Sequence, residues 1–391
     1  MTSPALRQAT AVGAVDGPLA GYHREWYVVR PEGELTRLGR VKIGEPRQGA
    51  LWFDRRYFAS EDELLLELAR LGVPRVPPVH RVHSTGTVFH GFIEGRTLAS
   101  LSPCGRPVAP VHLRQIMERF ASLCRLRPGD VRARRLTAGE SDGESDGESN
   151  GESDSAGFPR VLLDFTRERA YRARLPRFGP LFARLGIPPD ALGPGSRLAA
   201  EAARMGARPV CLLHGDLHRA NFIVDHADAL WTIDWELASF GDPLYDLATH
   251  LYLMDYPASQ QARVVEEWQR TVAPLLPGAD ARLAEDLPRY LDYKRAQSVF
   301  TDVVRQAVAV ADAVGSPAFA GQLGQAAKLV HDVLVRAAEP LELSDVPSPG
   351  AVELAYADFC TGSQLRASSE LHAGSQLRAA PTDRRSGPDS R

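Results

Sequence analysis

The chain has 391 residues, 44% hydrophobic and 24% charged, the composition of a folded globular protein with room for two or three domains. A net charge of −3 is too balanced for a nucleic-acid footprint or a polybasic membrane patch, and no apolar run reaches the ~18 residues that a membrane span needs. The four cysteines (Cys104, Cys124, Cys211 and Cys360) are far apart and form no CxxC pair, so neither a zinc knuckle nor a disulfide framework is indicated. Residues 1–20 lack a charged region followed by an apolar block. No export signal is expected there, and the reading is a reducing cytoplasm.

Residues 1–95 read as a small α+β lobe. Gln8–Val12 is a weak strand candidate, Gly13–Gly21 a Gly-rich turn, and His23–Arg30 and Leu38–Ile43 are β-rich runs. Asp54–Leu71 has the helical period, with Tyr57, Phe58, Leu64, Leu65, Leu68 and Leu71 on one face and Ser60 as an alternative N-cap. Strand candidates Val79–Val82 and Thr87–Ile93 follow.

Residues 96–340 read as mostly helical. The candidates are His112–Leu126, Leu162–Leu175, Ala199–Met205, Pro243–Met254, Gln260–Val272, Arg282–Val314 and Gly321–Ala338, with Val210–Ile233 as a β-rich exception. Within 137–157 the repeated Gly-Glu-Ser-Asp is an acidic low-complexity insert that cannot bury a core. The tail, 341–391, is rich in Ser, Gly, Pro and Arg from about Ser344 and is expected to be disordered.

Only three of the 46 basic residues are lysines: Lys42, Lys294 and Lys328. Against such an arginine bias, a retained lysine is a candidate for chemistry that a guanidinium cannot perform. None follows a glycine as in GK[ST], and no GxGxxG opens a helix, so neither a Walker-type loop nor a nicotinamide fold is indicated.

The chemistry concentrates in Cys211–Ala248, CLLHGDLHRANFIVDHADALWTIDWELASFGDPLYDLA. A loop presents Asp216 and Asn221. A hairpin, Phe222–Val224 and Leu230–Ile233, then returns the chain and delivers Asp234 to the same place. Two carboxylates and an amide oxygen suit Mg²⁺, and a carboxylate left off the metal can take a hydroxyl proton. Two other readings compete. His214, Asp216 and His218 alternate as a metallohydrolase ligand set would, and the loop could also be purely structural.

HGDLHRAN, IDWE and GDPLYDLA together resemble the motifs of the aminoglycoside phosphotransferase and choline kinase family. The resemblance spans roughly residues 10–335. It implies a protein-kinase-like fold, α+β, with a small β-rich lobe and a larger helical one. It further implies ATP and Mg²⁺ as cofactors, Asp216 as catalytic base, Asn221 and Asp234 as metal ligands, and structural roles for His214 and Asp246. A strand lysine and a helix glutamate complete such a site. Lys42 lies on the third strand candidate. Glu61 falls within the apolar stripe of its helix, where an unpaired carboxylate is costly, and is the expected partner, with Glu63 the alternative. The segment HGFIEGRTL resembles the hinge whose main chain binds adenine, which places that role at Gly91 and Ile93. Asp16–Gly21 fits the family's phosphate loop by position only, and Cys124 stands where a histidine is common.

The implied activity is transfer of the ATP γ-phosphate to a hydroxyl of a small molecule: an aminoglycoside-like antibiotic, an amino-alcohol or a sugar-like metabolite. No nucleic-acid or membrane partner is expected. Residues 241–340 carry thirteen acidic and nine basic residues, a weak lean towards a cationic acceptor, with Asp255, Asp292 and Asp302 as candidate acids. A non-catalytic nucleotide-binding regulator of the same fold is the alternative.

Overall fold

The structure is a computed structural model that describes residues 3–19, 21, 23–47, 51–82, 87–137 and 155–361. The chain divides into two compact units, Met1–Ala173 with Asp190–Gln297, and Arg174–Pro189 with Ser298–Arg391.

The first unit opens with helix α1 (Pro4–Val12), not a strand. The Ser3 side chain accepts from the Leu6 N–H and Pro4 occupies the first turn, both strong start signals that override the β-branched residues near its end. Next, β1 (Gly13–Leu19) occupies the stretch expected as a turn. It pairs antiparallel with β2 (Arg24–Pro31), with an irregularity between Val15 and Gly17. The sheet continues through β3 (Val41–Pro46) and, after helix α2 (Glu61–Arg70), through β4 (Val79–Val82) and β5 (Thr87–Gly91), in the order β1-β2-β3-β5-β4. As an edge strand, β1 tolerates Pro18, which has no N–H to give a ladder. Ala5 and Ala9 of α1 pack on Val29, Val41, Ile43 and Phe89 of the sheet.

Helix α2 starts at Glu61 rather than Asp54. The Ser60 hydroxyl accepts from the Glu63 N–H, while Phe58 is held before the helix by a β-bridge to Arg135. Leu64, Leu65 and Leu68 are its buried face.

Beyond the sheet come β6 (Arg96–Thr97), α3 (Leu98–Leu101), α4 (Pro110–Cys124) and α5 (Phe158–Phe165), which runs on into a π-helical turn, Thr166–Tyr171. Then follow α6 (Leu175–Arg184), which belongs to the second unit, α7 (Arg197–Ala202), β7 (Cys211–Leu213), β8 (Phe222–Val224), β9 (Leu230–Thr232), β10 (Ser239–Gly241), α8 (Pro243–Met254), α9 (Ala258–Val272) and α10 (Leu283–Asp312). Residues 138–154 of the acidic insert lie outside the described residues. Ser155, assigned to that insert from sequence, is buried and donates to Asp242 at 3.2 Å, so the insert ends before it.

The base of α8 is fixed by a buried ion-pair network. The Arg208 guanidinium donates to Asp242 at 2.8 Å and also to Asp286, and all three side chains are fully buried. Tyr290 donates to Asp242 at 2.9 Å. The other Asp242 oxygen caps α8 at the Leu244 N–H.

The second unit contains α6, the end of α10, α11 (Phe319–Ala337) and a further helix, α12 (residues 349–361). In α12 Val352 and Tyr356 are fully buried, and the Tyr356 hydroxyl donates to the Val303 carbonyl at 2.9 Å. The expected disordered tail therefore includes an ordered helix, whose i, i+4 apolar pair is masked in the sequence by its polar neighbours; residues 362–391 lie outside the described residues. Among the described residues no helix is long and apolar enough to cross a membrane.

Candidate active site

The sheet and the β7–β10 region of the first unit face each other across a cleft of about 440 Å³. Six of the seven residues singled out from sequence line it: Lys42, Glu61, Gly91, Ile93, Asn221 and Asp234. The seventh, Asp216, is bonded to one of them.

Lys42 sits centrally on β3, opposite Val28 on β2 and His90 on β5. Its ammonium lies 4.4 Å over the Trp26 ring. Burial pulls its pKa down, and the carboxylates of Glu61 and then Asp234 pull it back up. It is the third strand, as expected, although β1 rather than Gln8–Val12 supplies the first.

Of the three glutamates on α2, Glu61 is the one that lines the cleft. Its Oε1 accepts from the Trp235 main-chain N–H at 3.0 Å. Glu63 accepts from the Arg134 N–H and Glu67 pairs with Arg70, so both serve the outer side of the helix.

The hinge has a local cause. The Gly91 N–H donates to the Pro78 carbonyl at 2.7 Å, and proline has no N–H with which to return the bond. The Phe92 N–H donates to the Arg40 carbonyl at 3.0 Å. Gly91 and Ile93 both line the cleft. Glycine is required at 91, because a Cβ would stand 2.5 Å from Pro78 Cγ.

The loop from His214 to Asn221 is strapped to its surroundings by buried groups. Asp246 accepts from the main-chain N–H groups of His214 (3.1 Å) and Gly215 (2.8 Å). The His214 Nδ1 accepts from the Asp216 N–H, and its Nε2 donates to the Ile233 carbonyl at 3.1 Å. Both ring nitrogens are thus committed, which removes His214 from any zinc ligand set. Burial pushes its pKa down to about 3, so the ring is neutral.

Asn221 Nδ2 donates to Asp216 Oδ2 at 2.9 Å and to the Asp216 carbonyl at 3.0 Å, which turns its amide oxygen away from Asp216. Burial alone would raise the Asp216 pKa; His218, 3.3 Å away, and Lys294 more than offset this and hold it below the ordinary range. Asp216 is thus ionised and oriented.

Asp234 adopts a left-handed backbone (φ 65°), a strained conformation for a residue with a side chain. Its pKa is raised by burial, then by the carboxylates of Glu61, Glu236 and Asp216, with Lys42 opposing. Among the described residues no three His, Cys, Asp or Glu side chains are grouped closely enough to hold a metal by themselves, but the Asp234 carboxylate and the Asn221 amide line one cleft as hard oxygen donors. That fits a hydrated divalent cation such as Mg²⁺.

Sequence reasoning missed Trp26, the platform under Lys42, and Glu236. Glu236 is bonded to His23, whose ring stacks on Trp52 at 3.7 Å. The signal for Glu236 was its place in IDWE. Of the supposed phosphate loop, Leu19 and Gly21 line the cleft, while Asp16 is bonded to Arg30 and Arg40.

Comparison with curated proteins gives no match. Similar solved structures include a choline/ethanolamine kinase family protein from Mesorhizobium loti, at 16% identity over 91% of this chain and 95% of that one, with a TM-score of 0.43. A thermostable mutant of aminoglycoside phosphotransferase APH(4)-Ia, in complex with ADP and hygromycin B, shares 12% identity over 88% and 100%, with a TM-score of 0.47. Macrolide 2'-phosphotransferase MphH from Brachybacterium faecium shares 17% over 88% and 98%, with a TM-score of 0.45. The model of the phosphotransferase enzyme family (APH) matches residues 27–285, from within β2 to the start of α10 and across Lys42, Glu61, Gly91, Ile93, Asp216, Asn221 and Asp234, and the chain belongs to that family.

Proposed function

We propose that the protein is an ATP-dependent kinase that phosphorylates a hydroxyl of a small molecule. The observation that carries this reading is the convergence of Lys42, Glu61, Asn221 and Asp234 on one cleft, with an oriented, ionised Asp216 bonded to Asn221.

In this reading the adenine sits at the hinge, accepting from the Ile93 N–H and donating to the Gly91 carbonyl. Lys42, held by Glu61, neutralises the phosphates as a compact point charge. Asn221 and Asp234 would hold Mg²⁺, which when bound neutralises phosphate charge and orients the chain of phosphates. Asp216 orients the acceptor hydroxyl and takes its proton as the acceptor oxygen bonds to the γ-phosphorus. The bond from that phosphorus to the bridging oxygen breaks, and ADP leaves with the electron pair.

A purely nucleotide-binding regulator has no use for a base, so the orientation of Asp216 favours the enzyme. The test is ADP release on a panel of alcohols with the parent protein and Asp216→Asn. The variant should bind nucleotide and lose turnover by about 10²–10⁴-fold. Turnover within about threefold of the parent would remove Asp216 from the chemistry.

A further inference from the structure

Helix α2 is attached at both of its ends to one short segment, Thr232–Trp235, which carries Asp234. At the start of the helix, Glu61 accepts from the Trp235 main-chain N–H at 3.0 Å. Past its last residue, Arg70, the chain runs to β4 through Arg75, whose carbonyl accepts from the Thr232 N–H at 3.1 Å. The segment is also closed on itself, because the Trp235 indole N–H donates to the Thr232 carbonyl at 2.9 Å.

Two residues of this arrangement, Arg75 (φ 54°) and Asp234 (φ 65°), hold the left-handed backbone without being glycine. Such a conformation is costly, and it persists where the surroundings over-determine it. Between the two stands Arg119, on α4. Its Nε donates to the Thr232 hydroxyl at 3.0 Å, and its Nη2 donates to the carbonyls of Pro74 at 2.6 Å and Arg75 at 3.1 Å. Its guanidinium carbon lies 5.5 Å over the Trp235 ring. One side chain therefore holds the left-handed Arg75 by its carbonyl and touches both ends of the segment around the left-handed Asp234.

The chemistry of Arg119 is unusual for a residue that only fills space. It is buried, and its hydrogen-bond acceptors are a hydroxyl and two carbonyls, none of them a carboxylate. Among the described residues its Nη1 has no hydrogen-bond partner. Burial, with the charge of Arg75 added, pulls its pKa down to about 10, so it is still a cation at neutral pH. A buried cation without a counter-ion is expensive, and an apolar side chain of similar volume would serve stability better. What the apolar side chain lacks is the planar fork, which reaches acceptors on two separate segments at once.

We infer that Arg119 is a positioning residue that joins the Thr232–Trp235 segment and the connection after α2 into one body, and so presents the Asp234 carboxylate to the cation and nucleotide in one fixed orientation. This rests on the kinase reading above and adds to that site a group that does not itself line the cleft. Arg119 acts through Thr232 and Trp235, on either side of Asp234. A carboxylate held in place before its cation arrives has less freedom to lose on binding it.

The test is calorimetric titration of a non-hydrolysable ATP analogue into the full chain over a range of Mg²⁺ concentrations, with urea unfolding of the metal-free protein in parallel. Arg119→Met fills the space and removes the fork. It should raise the Mg²⁺ concentration for half-maximal tightening of nucleotide binding by about tenfold, the scale for losing a partner behind a metal ligand. Metal-free nucleotide binding should stay within about threefold of the parent, because it uses the hinge and Lys42. Should Arg119→Met fail to fold, Thr232→Val keeps the shape, removes one acceptor of the fork, and should raise the half-maximal Mg²⁺ concentration about threefold. A folded Arg119→Met that loses stability in urea while its Mg²⁺ midpoint stays within about twofold of the parent would overturn the inference and leave Arg119 a structural residue. An equal loss of metal-free and Mg²⁺-dependent binding would overturn it too, as a general distortion of the cleft. Nucleotide binding by the parent that ignores Mg²⁺ would remove the metal role of Asp234 and the inference with it, whereas absence of any nucleotide binding by the parent would overturn the kinase reading itself.

Discussion

The first residue of helix α2, Glu61, accepts a hydrogen bond from the main-chain N–H of Trp235, the residue that follows Asp234. One carboxylate thus reaches from the sheet side of the cleft to the backbone of the loop opposite, while its charge raises the affinity of Lys42 for its proton. Replacing Glu61 by glutamine removes the charge and keeps the shape. Glu61→Gln should lower kcat/KM for ATP by about tenfold, in line with one lost charge-assisted contact. Glu63→Gln, whose side chain serves the Arg134 N–H, should stay within about twofold of the parent. Steady-state kinetics on the two variants, side by side, checks the assignment. A silent Glu61→Gln together with a damaged Glu63→Gln would move the contact by two residues.

Lys42 stands over Trp26 at 4.4 Å, in a space that suits a slim stem and a point charge. A guanidinium is planar and wider, and its fork would have to displace the indole or leave the cleft. Lys42→Arg should therefore lose at least about a hundredfold in kcat/KM, nearly as much as Lys42→Ala. A solvated strand lysine would accept arginine with no effect, so full activity in Lys42→Arg would refute the phosphate role.

The motifs that carry the site were legible because they are local. HGDLHRAN, the hairpin and IDWE lie within one short stretch, and the Asp-Pro start of α8 is a cap written in sequence. What sequence hid was decided at a distance. The Gly- and Pro-rich segment that became β1 has no strand pattern of its own; its pairing with β2 makes it one. The start of α5 is obscured by the acidic insert that precedes it, so its stripe at Phe158, Val161, Leu162 and Phe165 was half missed. The helix at Asp54 was drawn too long because Tyr57 and Phe58 share the period of the α2 face, yet Phe58 is claimed by Arg135 from elsewhere in the chain. Within the motif, Glu236 gave no sign of its bond to His23, a residue ahead of β2 and far away in sequence that lines the same cleft.

The buried network at the foot of α8 should dominate stability. Arg208 is fully enclosed between Asp242 and Asp286, and its removal would leave the buried Asp242 carboxylate without a cation, while Asp286 keeps its pair with Arg289 at 2.5 Å. Arg208→Met should cost about 3–5 kcal/mol in denaturant unfolding. A loss below about 1 kcal/mol would show that the network adds little beyond its packing.

Stability should also fall on acidification. His250 is buried, bonded to the Leu217 carbonyl at 2.8 Å and to the Tyr256 hydroxyl at 3.0 Å, and burial pulls its pKa down to about 4; His214 is pulled to about 3. Both rings bind protons more readily in the unfolded chain, where the pKa is 6.5. The stabilisation is therefore complete above pH 6.5 and is lost as the pH falls towards 4 and then 3. Each histidine contributes a slope of about 1.4 kcal/mol per pH unit inside that window. Urea unfolding from pH 7.5 to 4.5 should show this fall, and His250→Gln should flatten it by the share of one proton. An unchanged slope in His250→Gln would mean that the ring is protonated in the folded protein.

The central claim is that Lys42, Asn221 and Asp234 form one nucleotide and metal site, and it can be tested without knowing the acceptor. The measurement is calorimetric titration of a non-hydrolysable ATP analogue into the parent protein and into Asp234→Ala, each with and without Mg²⁺. The account predicts binding that tightens with Mg²⁺ in the parent and binding that is weak and indifferent to Mg²⁺ in the variant. Absence of binding in the parent, or the same Mg²⁺ dependence in both proteins, would contradict it.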